Sequence, residues 1–185
     1  ARPGMELDLL DGLFVGTGGA VDLGAGHVLV NDDDSGLDGD SLSADMMTVG
    51  SGGTGCFVQN GGEVSLREAV LGTFEDYGSY ELNDGRASIK SMNVDRGKLS
   101  IRGGMLSGRW VSVGRSYEGL CELEAGQVDV EVMYIGYGGE GTVRQSAGTA
   151  GAQYLRIGLK GPHNNSPGPG LYVLEGGEVV TSTAT

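Results

Sequence analysis

Along most of the chain, apolar residues alternate with polar or small ones in short runs. Phe57-Val-Gln59, Tyr80-Glu-Leu82, Leu99-Ser-Ile101, Cys121-Glu-Leu123, Val143-Arg-Gln145 and Tyr172-Val-Leu174 are of this kind. Such period-two alternation belongs to strands with one buried face. Each run is followed by a small pair that usually contains glycine, then by a second alternating run. A short apolar stretch ending in glycine closes the unit, as in Val70-Leu-Gly72, Ser112-Val-Gly114 and Tyr134-Ile-Gly136. The unit therefore predicts strand, turn, strand, strand, with no helix.

The unit recurs, and two independent rulers give its period. The second small residue of the pair falls at Gly26, Gly62, Gly85, Gly104, Gly126, Gly148 and Gly177, and four of those six intervals are 19 to 23 residues. The apolar stretch marks the same spacing at Phe14-Val-Gly16, Thr48-Val-Gly50, Val70-Leu-Gly72, Ser112-Val-Gly114, Tyr134-Ile-Gly136 and Arg156-Ile-Gly158; Asn93-Val-Asp95 stands where the missing member belongs. Alignment predicts three inward ladders. The first holds Val21, Phe57, Tyr80, Leu99, Cys121, Val143 and Tyr172. The second holds Leu23, Gln59, Leu82, Ile101, Leu123, Gln145 and Leu174. The third holds Val28, Val64, Ala87, Leu106, Val128, Ala150 and Val179. A period of about 22 residues suits one coil of short strands and is too short for a helical repeat of roughly 33. The expected architecture is all-β: a right-handed parallel β-solenoid of about seven coils. It forms a single domain over 1–185, with loop insertions at about 31–45 and 159–170, the longer intervals of the rulers. Stacked rungs would lie ~4.8 Å apart.

Composition agrees. Glycine numbers 37, about a fifth of the chain against a usual ~7%, which backbone corners of left-handed conformation explain without further chemistry. Aromatics are few, as a thin core repeated many times requires. The net charge of −13 excludes nucleic acid as a partner, since phosphate binding needs a concentrated positive surface. No apolar stretch approaches the ~18 residues of a membrane-spanning helix. The chain opens on Ala1-Arg-Pro-Gly4, without an initiator Met or a signal-peptide core, and is expected to be a processed or excised product.

The strings Tyr134-Ile-Gly-Tyr-Gly-Gly-Glu-Gly-Thr-Val-Arg-Gln-Ser-Ala-Gly-Thr149 and Gly50-Ser-Gly-Gly-Thr-Gly-Cys-Phe-Val-Gln-Asn-Gly-Gly62 resemble the repeats of large secreted bacterial proteins. These are the autotransporter-associated or PEP-CTERM-linked β-strand repeats common in Planctomycetes and Verrucomicrobia. The resemblance covers roughly residues 12–180. It implies export, a β-solenoid and a surface or adhesive role, and it transfers no catalytic residue. Residues 76–116 depart from it most, with Asp95 and a charged stretch where the repeats favour Gly, Ser and Thr.

Candidate chemistry is sparse. Asp32, Asp33, Asp34, Asp38, Asp40 and Asp45 crowd a Gly/Ser-rich segment that reads as a solvated acidic loop or as a structural Ca²⁺ site, Ca²⁺ being a hard cation that takes oxygen ligands. The segment 159–170 holds His163, the sequon Asn164-Asn-Ser166 and several turn formers, and reads as a surface excursion. His27 and His163 are too few and too far apart for a zinc triad. No nucleophile elbow or phosphate loop is present, so no catalytic residue is assigned and the chain is expected not to be an enzyme. Cys121 should face inward and Cys56 outward, three coils apart, roughly 14 Å at ~4.8 Å per rung, beyond the ~7 Å of a disulfide.

Seven of the twelve basic residues lie between Arg86 and Arg115, whereas residues 1–45 hold ten acids and one Arg. This asymmetry fits solvated faces, steering of one subunit onto another, or a stripe for an acidic polysaccharide. With Asp95 nearby, the last option extends to a β-helical polysaccharide lyase. Trp110, Tyr117 and Tyr137 are the ligand-facing aromatics expected of an adhesin or carbohydrate-binding module. Neither end carries a helical cap, and an open solenoid edge recruits further strands. The leading expectation is thus an extracellular structural β-solenoid on the bacterial cell surface that associates head-to-tail with copies of itself into a filament or surface layer.

Overall fold

The computed structural model describes residues 6–9, 14–15, 20–22, 27–30, 35–38, 41–51, 53–160 and 167–184. In chain order the strands are β1 (Glu6–Leu9), β2 (Phe14–Val15), β3 (Ala20–Asp22), β4 (His27–Val30), β5 (Ser35–Leu37), β6 (Ser41–Val49), β7 (Gly55–Gln59), β8 (Glu63–Leu71) and β9 (Gly78–Leu82). They continue as β10 (Arg86–Val94), β11 (Gly97–Ile101), β12 (Met105–Val113), β13 (Gly119–Leu123), β14 (Gln127–Tyr137), β15 (Gly141–Gln145), β16 (Thr149–Leu159), β17 (Gly170–Leu174) and β18 (Glu178–Ala184). All of these pair in parallel, in two sheets. One sheet stacks the long strands in the order β1-β4-β6-β8-β10-β12-β14-β16-β18, with β3 also on β6, and the other stacks the short strands β17-β15-β13-β11-β9-β7-β5-β2. From β4 onward chain order alternates between the sheets, so the architecture is a parallel β-solenoid of about five turns rather than the seven expected. The regular turns run from Gly55 to Leu159.

Each long strand turns a corner. The β8–β10 register pairs Glu63–Leu66 with Arg86–Ile89 and Glu68–Leu71 with Ser91–Val94, skipping Arg67 and Lys90. Burial in β8 shows why: Val64, Leu66, Ala69 and Leu71 are buried, while Arg67 and Glu68 in succession are not. Two consecutive outward residues reset the alternation, and the strand bends so that both halves face the same core. A coil is therefore three-sided: short strand, first half and second half.

The core is a set of stacked ladders. Phe57, Tyr80, Leu99, Cys121, Val143 and Tyr172 are in register, buried except for Tyr172, which is half-buried. Phe57 meets Tyr80 edge-on at 5.3 Å, a favoured aromatic geometry. Buried polar atoms in this core are satisfied in a repeated way. Gln59 donates from Nε2 to the carbonyls of Gly61, Gly62 and Arg86 and accepts at Oε1 from the Tyr80 hydroxyl of the next rung. Gln145 does the same, donating to Gly148 and Glu178 and accepting from Tyr172. A glutamine in the second ladder is thus locked by a tyrosine in the first ladder one coil on. Burial holds both phenols protonated far into alkali, Tyr172 being pushed up to about 12.

At the corner after the long strand, Gly72 has φ +76°, and a Cβ there would lie 2.1 Å from the Asp95 carbonyl of the next rung. Only glycine lets successive corners stack this closely. At the equivalent corner Asp95-Arg96, where glycine is missing, the turn is tighter and Arg96 takes φ 46°. The Asp95 carboxylate accepts from the backbone N–H groups of Ser116 and Tyr117, at 2.8 and 3.3 Å.

The N-terminal stretch departs from the expected alignment. Val21 pairs with Leu42 in the long-strand sheet, so it does not belong to the ladder of Phe57; Ser35 pairs there instead. Val28 pairs with Met47, in the second half of the long strand rather than the first. Phe14 pairs with Gly36 in the short-strand sheet, and Leu29–Val30 takes the place expected for Phe14-Val-Gly16. Leu23 lies outside the described residues. The expected insertion over 31–45 includes two strand segments, Ser35–Leu37 and the start of β6. The acid-rich run therefore supplies part of an ordinary coil. At the second expected insertion, Lys160 and Pro167 form an antiparallel bridge; residues 161–166, including His163 and the sequon, lie outside the described set.

Candidate functional site: a groove on the outer face of the long strands

Outward positions of the second half-strand form two adjacent ladders. One holds Glu68, Ser91, Trp110, Val132 and Tyr154; the other holds Val70, Asn93, Ser112, Tyr134 and Arg156. Between the bend ladder on one side and the corner turns on the other, Glu68, Ser91, Trp110, Asn93, Ser112 and Tyr134 of these ladders line a groove of about 490 Å³. Asn93 and Ser112 form its floor and are buried although they point away from the core. Lys90 and Arg109 stand at the bend edge, and Arg115 and Tyr137 at the turn edge.

Aromatic rings line the groove on consecutive rungs. Trp110, on β12, is 40% exposed, and the Arg109 guanidinium covers one face at 4.7 Å. Tyr134, on β14, stacks on Tyr137 with centroids 4.8 Å apart, and Arg156 on β16 approaches the rings of both Tyr134 and Tyr154, at 5.7 and 5.6 Å. Cation–π contacts of this kind hold rings in place.

The charges of the groove are unevenly compensated. Arg67 makes a two-pronged contact with Asp45, at 2.7 and 2.9 Å, and touches Glu68 at 3.3 Å. Both carboxylates hold its guanidinium above the usual arginine range. Arg109 pairs with Glu131 at 3.0 Å. Glu68 also accepts from Asn93 Nδ2 at 3.3 Å. Lys90 and Arg115 have no carboxylate partner among the described residues. The Ser112 hydroxyl, 95% of its residue being buried, has no hydrogen-bond partner. An orphaned buried hydroxyl is uncommon, and this one belongs to the wall of the groove.

The remaining basic residues of the 86–115 stretch do not form one stripe. Lys98 pairs with Glu122 at 2.8 Å, Arg102 with Glu81 and Glu124, and Arg96 lies 5.9 Å from the Tyr117 ring. These contacts join neighbouring rungs on different faces of the coil. A smaller cleft of about 300 Å³ lies outside the short strands, among Tyr77, Arg96, Glu118, Leu120, Glu140 and Arg144. It holds two arginines and two glutamates.

Of the three aromatics expected to face a ligand, Trp110 and Tyr137 line the groove. Tyr117 shares the turn after β12 with Arg115 but packs edge-on against Phe74 at 5.6 Å and does not line the groove. Tyr134, Asn93 and Ser112 were not singled out by the sequence, although the outward register two residues from Trp110 marks them as soon as the inward ladders are drawn. Of the six aspartates expected to bind metal, Asp32, Asp33, Asp34 and Asp40 lie outside the described residues. Asp45 is held by Arg67 at the bend of β6, and Asp38 accepts from Asn60 at 2.7 Å after β5. Among the described residues, no cluster of three or more His, Cys, Asp or Glu is gathered in a metal-binding arrangement. Asp95 accepts from the backbone amides of Ser116 and Tyr117 and forms no ion pair among the described residues. Cys56 and Cys121 are not bridged to one another; they sit in different ladders, and burial pushes the Cys121 thiol up to about 12.

Comparison with protein families, characterised proteins and solved structures finds no match to this chain.

Proposed function

We propose that the solenoid is an extracellular, non-catalytic binding scaffold, an adhesin or carbohydrate-binding module, whose groove holds an extended glycan chain. The observation that carries this reading is the gathering of Trp110 on β12 with Tyr134 and Tyr137 on the adjacent rung, β14, in one groove that crosses successive rungs. The C–H face of a pyranose stacks on aromatic rings, as apolar surfaces with a fixed geometry do. Rungs recur every ~4.8 Å, close to the advance of one sugar in an extended chain, so neighbouring sugars can meet Trp110 on one rung and Tyr134, one ladder over, on the next. The extracellular setting follows from the resemblance to secreted bacterial repeats. Against glycoside hydrolysis stands the single carboxylate in the groove wall, Glu68, already engaged by Arg67 and Asn93, where the usual route needs two. Binding of the full chain to immobilised polysaccharides, compared with Trp110→Ala, tests the reading. Loss of at least about tenfold in affinity (~1.4 kcal/mol) is expected, and retention of wild-type binding by Trp110→Ala would sink it.

A second reading, head-to-tail association into a filament, is favoured by the edge of β17 and β18. Leu171, Leu174 and Val180 are each more than half exposed there, and neither strand has a partner on its outer side among the described residues. Such an edge accepts a further rung, from the same chain or from another copy. Negative-stain electron microscopy distinguishes fibres one solenoid wide from short monodisperse rods.

A further inference from the structure

We propose that the ligand of the groove is a carboxylated glycan, with uronic-acid carboxylates received by Lys90 at one edge and Arg115 at the other. This inference rests on the glycan reading above and adds the charge class of the chain.

The protein carries a net charge of −13, yet the groove wall holds four cations, Arg67, Lys90, Arg109 and Arg115, against Glu68 alone. Two of the four are neutralised by neighbours outside the groove, Arg67 by Asp45 and Arg109 by Glu131. Lys90 occupies the bend position between those two arginines on successive rungs, the position skipped in both of its pairings. Like charges stacked on adjacent strands repel. Asp45 and Glu131 offset the two arginines, which leaves Lys90 as the cation of this ladder without a carboxylate among the described residues. Arg115 lies across the floor, immediately past the Gly114 corner of the next rung. Its planar fork matches a carboxylate in two parallel hydrogen bonds. Between the two cations lies Ser112 with its unpartnered, buried hydroxyl. That group can serve a sugar hydroxyl at the floor while Trp110 on the same strand carries the ring.

The geometry suits substituents projecting sideways from a stacked sugar, which is where the carboxylate of a uronic acid stands. Two uncompensated cations also set the charge density. A chain with one carboxylate per sugar supplies one anion to each, whereas a densely sulfated chain brings more charge than these two cations offset.

The experiment is calorimetric titration of the full chain with oligogalacturonate and with the same oligosaccharide fully methyl-esterified. The carboxylated form should bind at least about tenfold more tightly. Lys90→Gln and Arg115→Gln should each weaken it by about tenfold (~1.4 kcal/mol) and leave the esterified form unaffected. Ser112→Ala should weaken both forms without lowering the melting temperature, since it removes an unpartnered group; a purely structural serine would show the reverse. Equal affinity for the esterified form, or tighter binding of dextran sulfate, would overturn the carboxylate assignment while the glycan reading stands. Failure of every glycan to bind would overturn both.

Discussion

The ladder of Leu123 and the ladder of Leu174 are one and the same, joined through Gln145. Even so, Leu123 is 2% exposed and Leu174 53%. Cys121 and Tyr172 differ likewise in the neighbouring ladder, one buried and one half-buried. The last rung keeps the register, the hydrogen bonds and even the glutamine–tyrosine lock of the interior. Among the described residues, no further rung covers its outer side. Burial in a solenoid is supplied along the axis by the next coil, so two residues with identical positions in the repeat differ in energetic weight according to their neighbours.

Paired substitutions sharpen that contrast. Leu123→Ala should cost ~2–5 kcal/mol, as buried leucines do, whereas Leu174→Ala should change stability by less than about 1 kcal/mol; urea titration of both variants gives the comparison. Gly72→Ala should follow, at ~1–3 kcal/mol from backbone strain alone with the Asp95 carbonyl in the way. The equivalent Gly158→Ala meets, among the described residues, nothing nearer than 3.7 Å and should cost the strain without that clash. Tyr80→Phe leaves Gln59 Oε1 without its buried donor and should cost ~1–3 kcal/mol, against a smaller loss for Tyr172→Phe, where water reaches the edge.

The same burial makes a pH prediction. Cys121 and Tyr172 each hold their proton up to about 12 in the fold, against ordinary values of 9.0 and 10.0. The unfolded chain releases those protons first, so stability is full below pH 9 and is lost as pH rises towards 12. Urea midpoints measured from pH 8 to 12 should fall in this order, and Cys121→Ala should move the onset upward. The smallest effect belongs to the exposed cross-rung pairs: Arg102→Gln should cost less than about 1 kcal/mol and less still at high salt.

From Gly55 onward the strands, their parallel stacking and all three inward ladders were legible in the sequence, because period-two alternation and a glycine at every corner report the same repeat. The first ladder was misdrawn before that point. Gly18-Gly19 and Gly24-Ala-Gly26 imitate the small pair, while the short strand that continues the ladder, Ser35-Gly-Leu37, carries little apolar signal. The acid-rich run therefore read as an insertion when it supplies strands. The groove was half legible: Trp110 and Tyr137 stood out as aromatics, but Tyr134 was counted only as part of the apolar stretch. Serine and asparagine on a strand look like any polar outward residue, so Ser112 and Asn93 gave no sign of lying in a floor.

The amino-acid sequence by itself determined the repeat, the all-β solenoid and the inward side of each regular strand, since these follow from local alternation and from corners that only glycine fits. Tertiary structure alone decided where each long strand bends, which cations find a carboxylate one rung away, and which outward residues sink into a groove. Those outcomes depend on residues about 22 positions apart meeting across rungs, where the identity of a side chain matters less than the side chain stacked beside it.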